Sequence, residues 1–250
     1  MKLRAVFLTL LFCGISSFVR GEGHTPPPKN DWSFKSPIGT FDRAALQRGF
    51  QVYKEVCSTC HSMNLVSYRN LRDLGFSHGE VKAIAKQYQV PTLNDEGESI
   101  TRPAESQDAF VSPYPNEKAA RAANNGAYPP DLSLIVKARN GGADYVKALL
   151  VGFKEPPAGV TLNPGMHYNV YFQGNQIAMA EPLKEGLVTY TDGTKATVEQ
   201  MADDVVTFLS WAAEPEMEAR KRLGIKVLIY LSVFSVMMYF ALRRVRRHIK

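Results

Sequence analysis

The sequence predicts a mainly α-helical domain with loop insertions, joined to a single membrane-spanning helix near the C-terminus. Three observations lead to this fold class. Apolar residues recur at helical spacing in two long segments, an apolar run of fifteen residues lies near the start, and a run of twenty lies near the end. With 250 residues, 45% of them hydrophobic, the chain is long enough for one sizeable domain with appendages.

The N-terminus has the pattern of a secretory signal peptide. Lys2 and Arg4 form a positively charged start, and the apolar run from Ala5 to Val19 follows. We expect residues 1–21 to be removed as a signal peptide; the alternative is a short N-terminal membrane anchor. Cys13 lies in the apolar run, so its removal would leave a mature chain with two cysteines.

The C-terminal apolar run, residues 223–242, is long enough to cross a membrane. As a helix it would span roughly 30 Å, about one hydrocarbon core. Five basic residues follow the run and three precede it, which predicts a cytoplasmic C-terminus. We therefore expect an exported domain at 22–219, an anchor with basic flanks at 220–245 and a cytoplasmic tail at 246–250.

The charge of the chain is unevenly distributed. The whole sequence has a formal charge of +6, but residues 22–219 contain 18 Lys and Arg against 24 Asp and Glu. The domain is therefore acidic, and the basic excess belongs to the two ends. This distribution gives no support to nucleic-acid binding.

The string "CSTCH", Cys57 to His61, carries the clearest chemistry in the chain. A close cysteine pair can be a dithiol redox site, half of a zinc site, a disulfide or a haem attachment. A redox pair would follow a strand, but a helical pattern precedes this one, and no second pair exists to complete a zinc site. A disulfide would not explain the adjacent histidine. We therefore predict one haem c, bound covalently through Cys57 and Cys60, with His61 binding the iron.

The segment before this string has helix-forming composition from about Phe41. Gly49 and Tyr53 lie eight and four residues before Cys57, an arrangement that resembles the first helix of class I cytochromes c. The resemblance implies that the small glycine allows the last helix of the domain to cross closely. The apolar face of this first helix consists of Leu46, Phe50, Tyr53 and Val56.

A second helical pattern near the end of the domain is a candidate for that last helix. It opens with Thr197 and Gln200 at the spacing of a capping box. Its apolar stripe consists of Met201, Val205, Phe208 and Trp211.

Electron transfer favours an iron with two strong axial ligands, because its coordination then changes little with oxidation state. Met63 is too close to His61 to reach the opposite face of a haem, Met201 fits the helix stripe, and Met217 lies near the membrane run. Chemistry alone leaves four candidates open: Met166, His167, Met179 and His78.

Three long blocks make the chain similar to the cytochrome c1 family, bacterial type. They are "RAANNGAYPPDLSLIVKARNGGADYV", "PPAGVTLNPGMHYNVYFQGNQIAMAEPL" and "DDVVTFLSWAAEPEMEARKRLGIKVLIYL". The resemblance covers nearly all of residues 31–245 and implies that Met179, in "IAMAEPL", is the second axial ligand. It also implies that Arg139 lies near a haem propionate, with Tyr145 beside it; the alternative is a solvated surface charge at Arg139. Asn124 and Pro130, in a turn-rich segment, are expected to line the haem edge.

The resemblance also implies a role. The chain would be the haem subunit of a cytochrome bc1 complex in a bacterial inner membrane, with its haem domain in the periplasm beside cytochrome b and the Rieske iron–sulfur protein. It would accept one electron from the Rieske protein and pass it to a cytochrome c, without being an enzyme by itself. The alternatives are a free-standing shuttle cytochrome and a haem enzyme or gas sensor with an open iron site.

The segment between Thr92 and Glu117 is strongly acidic. It contains a single base, Arg102, and is rich in proline, serine and glutamine, which predicts a loop insertion. We expect it to be a docking surface for a basic cytochrome c; the alternative is a solvated loop. The six acids are Asp95, Glu96, Glu98, Glu105, Asp108 and Glu117.

Overall fold

The computed structural model describes residues 25–249, so the predicted signal peptide lies outside the described part of the chain. The described part is mainly α-helical, as the sequence predicts. Its α-helices are α1 (Arg43–Glu55), α2 (His78–Ala85), α3 (Glu117–Ala123), α4 (Ile135–Ala138), α5 (Gly142–Val151), α6 (Val198–Ala213) and α7 (Met217–Ile249). Two short antiparallel strand pairs accompany them, formed by β1 (Gln89–Leu93) with β2 (Ser99–Pro103) and β3 (His167–Tyr168) with β4 (Gln176–Ile177).

The helices α1 and α6 form the centre of the domain and cross closely at Gly49. A Cβ atom added at Gly49 would lie 2.0 Å from the carbonyl oxygen of Asp204 and 2.8 Å from Cβ of Phe208. No such contact is tolerated between real atoms, so only glycine fits without moving a helix. The prediction of a close crossing at this glycine is confirmed.

The apolar faces of both helices are buried as predicted. In α1 the side chains of Leu46, Phe50 and Tyr53 are buried and Val56 is partly buried against them. The whole predicted stripe of α6 is buried, and an aromatic cluster joins the two helices. Its ring contacts are Phe50–Phe208, Tyr53–Phe208 and Phe208–Trp211.

The predicted capping box of α6 is only half formed. Thr197 caps the helix by accepting a hydrogen bond from the backbone N–H of Gln200 at 3.1 Å. The side-chain amide of Gln200 does not return to Thr197; it donates to both carboxylate oxygens of Asp204 at 3.1 Å. The reason is electrostatic, because Asp204 is 1% exposed and charged, and a charged acceptor holds an amide donor more strongly than a neutral one.

The buried Asp204 is neutralised across the helix crossing. Arg48 of α1 donates to both of its carboxylate oxygens at 2.9 Å, and another guanidinium nitrogen reaches Asp192 at 2.8 Å. A bidentate pair of this kind satisfies a carboxylate that could not otherwise be buried. The ion pair therefore fixes the register of α1 on α6 next to the glycine contact.

The last helix, α7, begins inside the domain and ends in the apolar run. It runs for 33 residues and is the one described helix long and apolar enough to cross a membrane, with none of its apolar window buried. Met217, expected near the membrane, is instead 4% exposed in the domain core, because the helix starts one turn before the charged flank.

Two of the basic residues before the apolar run are engaged within the protein. Lys221 donates to the backbone carbonyls of Phe34 at 2.5 Å, Ser36 at 2.7 Å and Gly39 at 3.2 Å. Arg220 pairs with Glu214 at 2.8 Å. The root of α7 is therefore attached to the domain by specific contacts as well as by the chain.

The acidic segment is more regular than predicted. Residues 89–103, which include most of its first half, form a hairpin in which Gln89 pairs with Pro103 and Leu93 with Ser99. Gly97 has a positive φ of 82° in the connecting turn. The predicted loop insertion therefore contains a β-hairpin in this half, because a turn with glycine allows two flanking five-residue strands to pair.

Candidate functional site

The cysteine motif follows directly from the end of α1. Cys57 begins a 3₁₀ turn that ends at Thr59, and its carbonyl oxygen accepts from the backbone N–H of Cys60 at 3.1 Å and of His61 at 2.9 Å. Both thiols are free and half-buried. Burial raises the pKa of the Cys57 thiol to about 12, with the neighbouring Cys60 adding to the effect.

The His61 ring is oriented by a backbone carbonyl far away in sequence. Its Nδ1 lies 2.8 Å from the carbonyl oxygen of Pro130. A carbonyl can only accept, so Nδ1 carries the hydrogen and Nε2 carries the lone pair. Burial lowers the pKa of His61, which favours the neutral ring that a metal requires. An imidazole held in this way by a hydrogen bond on its other nitrogen is the usual arrangement of a metal-binding histidine.

Sequence reasoning placed Pro130 at the haem edge but missed its neighbour, Asp131. The carboxylate of Asp131 accepts from Ser62 Oγ, from the backbone N–H of Asn64 and from the backbone N–H of Ser133, each at 2.8 Å. We call this set the Asp131 clamp. The Asp-x-Ser turn signal in "PPDLS" could have indicated the bond to Ser133, but the two bonds to residues just after the haem motif have no local signal.

Three of the four ligand candidates lie in one small unit. His167 begins β3 and pairs with Ile177 of β4, and Met166 precedes that strand while Met179 follows the other by two residues. Met179 and Met166 are half-buried, whereas His167 is exposed. His78 lies elsewhere, exposed at the start of α2. Met63 is fully buried, in agreement with a packing role.

Arg139 and Tyr145 lie on either side of a tight glycine turn. Gly141 and Gly142 have positive φ values of 89° and 56°, and they return the chain from the end of α4 into α5. Arg139 is exposed and its guanidinium donates to the carbonyl of Ala138 at 3.3 Å. Burial raises the pKa of Tyr145 and the charge of Arg139 lowers it, so the two side chains are within electrostatic range.

Asn124 uses its side-chain amide within the protein. It ends α3, and its amide nitrogen donates to the carbonyl of Ala120 at 2.7 Å and lies 3.1 Å from the hydroxyl of Tyr114. Its predicted position at the haem edge stays a prediction.

Comparison with known proteins identifies the family. Residues 32–249 match the model of the Cytochrome C1 family. The chain belongs to the cytochrome c1 family. It is 51% identical to cytochrome c1-2, a mitochondrial heme protein of Solanum tuberosum, over 89% of this chain and 86% of that protein. It is 47% identical to cytochrome c1 of Rhodospirillum rubrum, over 87% of this chain and 86% of that protein.

A third relative is much longer than this chain. The protein named cytochrome b/c1 from Bradyrhizobium diazoefficiens is 49% identical over 94% of this chain, which spans 38% of its length. Cytochromes c1 are haem-carrying electron-transfer subunits of bc1 complexes and are not catalytic enzymes by themselves. The family implies a covalently bound haem c, and the apolar α7 fits a membrane-anchored member.

The side chains present suit such a group. Two free thiols three residues apart, followed at once by a neutral imidazole with its Nε2 available, form the donor set that a covalent haem needs. Among the described residues no cluster of three or more His, Cys, Asp or Glu could hold a different metal.

Proposed function

We propose that this chain carries one haem c, bound through Cys57 and Cys60, with His61 and Met179 as its axial ligands. The observation that carries the proposal is the hydrogen bond of His61 Nδ1 to the Pro130 carbonyl, 2.8 Å long, which leaves the lone pair of the neutral ring on Nε2. A bound haem c supplies a one-electron couple between ferric and ferrous iron.

The role of the chain is to hold that couple at a useful potential. His61, kept neutral and oriented, is a strong donor, while the thioether of Met179 is a soft donor that favours the ferrous state and raises the potential. With His61 and Met179 both holding the iron, other ligands would be excluded and the coordination would change little with oxidation state. This arrangement suits a carrier and does not suit an enzyme that must bind substrate at iron.

Other predicted residues would act around the haem. Arg139 has no carboxylate partner among the described residues, which leaves its guanidinium available to a haem propionate, with Tyr145 beside it. Pro130 would orient the His61 ring through its backbone carbonyl. Asn124 would line the edge while its amide fixes the turn.

We place the haem domain, residues 22–219, on the periplasmic side of a bacterial inner membrane. The anchor is 220–245 and the cytoplasmic tail is 246–250, with residues 1–21 removed as a signal peptide. The support is the basic excess after the apolar run, since Arg220 and Lys221 on the other side are already engaged within the domain.

The electron donor in this proposal is the reduced Rieske protein, and the acceptor is a cytochrome c. Cytochrome b is the membrane neighbour, as the name of the Bradyrhizobium relative suggests for that protein. The hairpin turn of the acidic segment supports docking of a basic acceptor, because Asp95 and Glu96 are exposed there and make no ion pair among the described residues.

The test is a redox-titrated optical spectrum of the purified wild type, Met179→Leu and Met166→Leu. The leucine at 179 should abolish the weak methionine-to-iron band at the red end and lower the potential. We expect the ferric-to-ferrous equilibrium to move at least tenfold, about 59 mV for a one-electron couple. The matched leucine at 166, in the same β3–β4 unit, should change neither.

Two results would contradict the proposal in different ways. If Met166→Leu loses the band and Met179→Leu keeps it, the axial ligand is Met166. If the wild type lacks the band and binds carbon monoxide readily, the site is open and a sensor or enzyme becomes the better reading.

A further inference from the structure

The Asp131 clamp lies between the haem motif and the carbonyl that orients His61. Two of its three donors, Ser62 Oγ and the N–H of Asn64, come from the residues just after His61, and the third, the N–H of Ser133, comes from the segment that contains Pro130. One carboxylate therefore links the segment after His61 to the segment that contains Pro130. The spacing of these two segments sets the distance between His61 and Pro130.

Further contacts make this junction stiff. The backbone N–H of Leu132 donates to the carbonyl of Ser62 at 2.9 Å, and the N–H of Leu65 donates to Ser133 Oγ at 3.1 Å. Ser133 is completely buried. Hydrogen bonds to the carboxylate outweigh the effect of its partial burial and lower the pKa of Asp131, so it is ionised at neutral pH and accepts all three bonds as an anion.

We propose that Asp131 is a positioning residue for electron transfer, whose carboxylate holds the Pro130 carbonyl against His61 Nδ1 and thereby sets the balance between the ferric and ferrous states. The inference rests on the proposed function, in which His61 is an axial ligand. The hydrogen bonds of the Asp131 carboxylate go to Ser62, Asn64 and Ser133 and not to the His61 ring, so it acts through Pro130.

The physical effect follows from the basicity of the ring. A hydrogen bond from Nδ1–H to a fixed carbonyl increases the electron density of the imidazole and strengthens its donation to iron through Nε2. Stronger donation stabilises ferric iron more than ferrous iron. Releasing the clamp lets the carbonyl move away, weakens donation and raises the potential.

Two substitutions separate the geometry of the clamp from its charge. Asp131→Glu keeps the charge but moves the carboxylate by one methylene, so the three donors cannot all be reached. Asp131→Asn keeps the shape but provides a single oxygen and no charge. We expect both variants to shift the ferric-to-ferrous equilibrium toward the ferrous state by at least threefold, about 30 mV for a one-electron couple.

The second readout is the hydrogen bond itself. In full-length protein labelled with ¹⁵N-histidine and purified with its haem, the exchange of the His61 ring N–H with solvent can be followed by NMR. We expect exchange at least tenfold faster in both Asp131 variants. Glu181→Gln removes a carboxylate two residues from Met179 and should leave this exchange rate unchanged.

The other possible results either support or contradict the positioning role of Asp131. If Asp131→Glu matches the wild type while Asp131→Asn shifts the equilibrium, the effect is one of charge alone and the positioning role is wrong. The role is also wrong if both variants exchange at the wild-type rate. If neither folds, Ser62→Ala, which removes one donor without changing charge, replaces them: a smaller increase in exchange supports the proposal, and no change overturns it.

Failure of the proposed function has a separate signature. If the His61 ring resonances of the wild type lack the shift that coordination to haem iron produces, His61 is not a ligand, and both proposals fall at once. If that shift is present and the Asp131 variants behave as the wild type, only the positioning role fails.

Discussion

At the crossing of α1 and α6, one hydrogen atom in place of a methyl group decides how closely two helices pack. The carbonyl oxygen of Asp204 occupies the space where a Cβ of residue 49 would lie, and the side chain of the same Asp204 binds the neighbouring Arg48. Asp204 thus makes both the close backbone contact with Gly49 and the ion pair with Arg48, on one turn of α6. Gly49 lies about two helical turns before Cys57, so the crossing also helps to position the proposed haem site.

Gly49→Ala should therefore destabilise the protein. Because the added methyl meets a backbone oxygen that cannot rotate away, the helices must separate, and overpacking of this kind costs about 1–3 kcal/mol. Thermal melting of the full-length protein measures the effect. The control is Gly79→Ala in α2, where the nearest atom lies 4.0 Å away and alanine should stabilise by up to about 1 kcal/mol. Equal melting temperatures of the two variants would contradict the crossing.

Only part of the environment of the His61 ring could be predicted from the sequence. The histidine itself could be read from the cysteine spacing, since the whole motif is contiguous. Its hydrogen-bond partner Pro130 is 69 residues away, and nothing in the local pattern says that a carbonyl rather than a side chain would orient the ring. The prediction of Met179 as the second ligand rests on resemblance, because helical or strand periodicity does not distinguish a ligand methionine from a packed one.

Among the elements, α7 shows how a membrane helix is joined to a domain. Side chains in the first turns of α7 are hydrogen-bonded to the domain. Glu218 accepts from the backbone N–H of Phe41 at 2.8 Å and from Arg43 at 2.8 Å, and Lys221 gathers three carbonyls of residues 34–39. These contacts attach residues 30–41, which we call the N-terminal arm, to the start of α7.

The other end of the same arm is held by α5. The carboxylate of Asp144 accepts from the indole N–H of Trp32 at 2.6 Å, from Lys35 at 2.5 Å and from the backbone N–H of Asn30 at 3.0 Å. The arm therefore links the root of the membrane helix to the helix that follows the Arg139 turn. A sequence pattern could not show this link, because each of its bonds joins residues more than a hundred positions apart.

Lys221→Met should loosen the arm. The thioether side chain keeps much of the length of lysine but cannot donate, so three carbonyls lose a charged partner. We expect amide hydrogen exchange of residues 34–41 to rise at least tenfold, as measured by mass spectrometry on the full-length protein. Lys226→Met, at a position on the same helix without a hydrogen bond among the described residues, should leave that exchange unchanged. Equal protection in both variants would show that the lysine contacts contribute nothing.

Over the whole molecule, acidic and basic residues are segregated along the chain. Residues 22–219 are acidic, with a net charge of −6, while residues 220–250, most of which belong to α7, contain nine Lys and Arg and no Asp or Glu. Within the acidic segment the charges are not equivalent: Arg102 pairs with Asp108 at 2.6 Å and Arg121 with Glu117 at 2.7 Å. The negative charge that has no basic partner is therefore concentrated at the turn of the β1–β2 hairpin, where it would attract an approaching basic protein.

Neutralising that turn should slow the reaction with a basic cytochrome c. The triple variant Asp95→Asn, Glu96→Gln and Glu98→Gln should reduce the second-order rate constant at low salt by roughly tenfold, and its dependence on ionic strength should flatten. Stopped-flow kinetics measures both. The control removes the same charge outside the segment, at Asp31, Glu155 and Glu199, and a control that slows the reaction equally would assign the effect to net charge rather than to docking.

Features that depend on contiguous residues could be predicted from the sequence. The cysteine motif, the helix faces of α1 and α6 and the membrane-length run of α7 all follow from spacing along a single element, since periodicity and covalent proximity are properties of the chain. Tertiary structure decided the partners. It gave His61 the Pro130 carbonyl, turned Gln200 from Thr197 to Asp204 and engaged Lys221 with the N-terminal arm. The partners of His61 and Lys221 lie 69 and more than 180 residues away, so no local pattern shows them. Gln200 binds Asp204 within its own helix, because that carboxylate is buried and must be hydrogen-bonded.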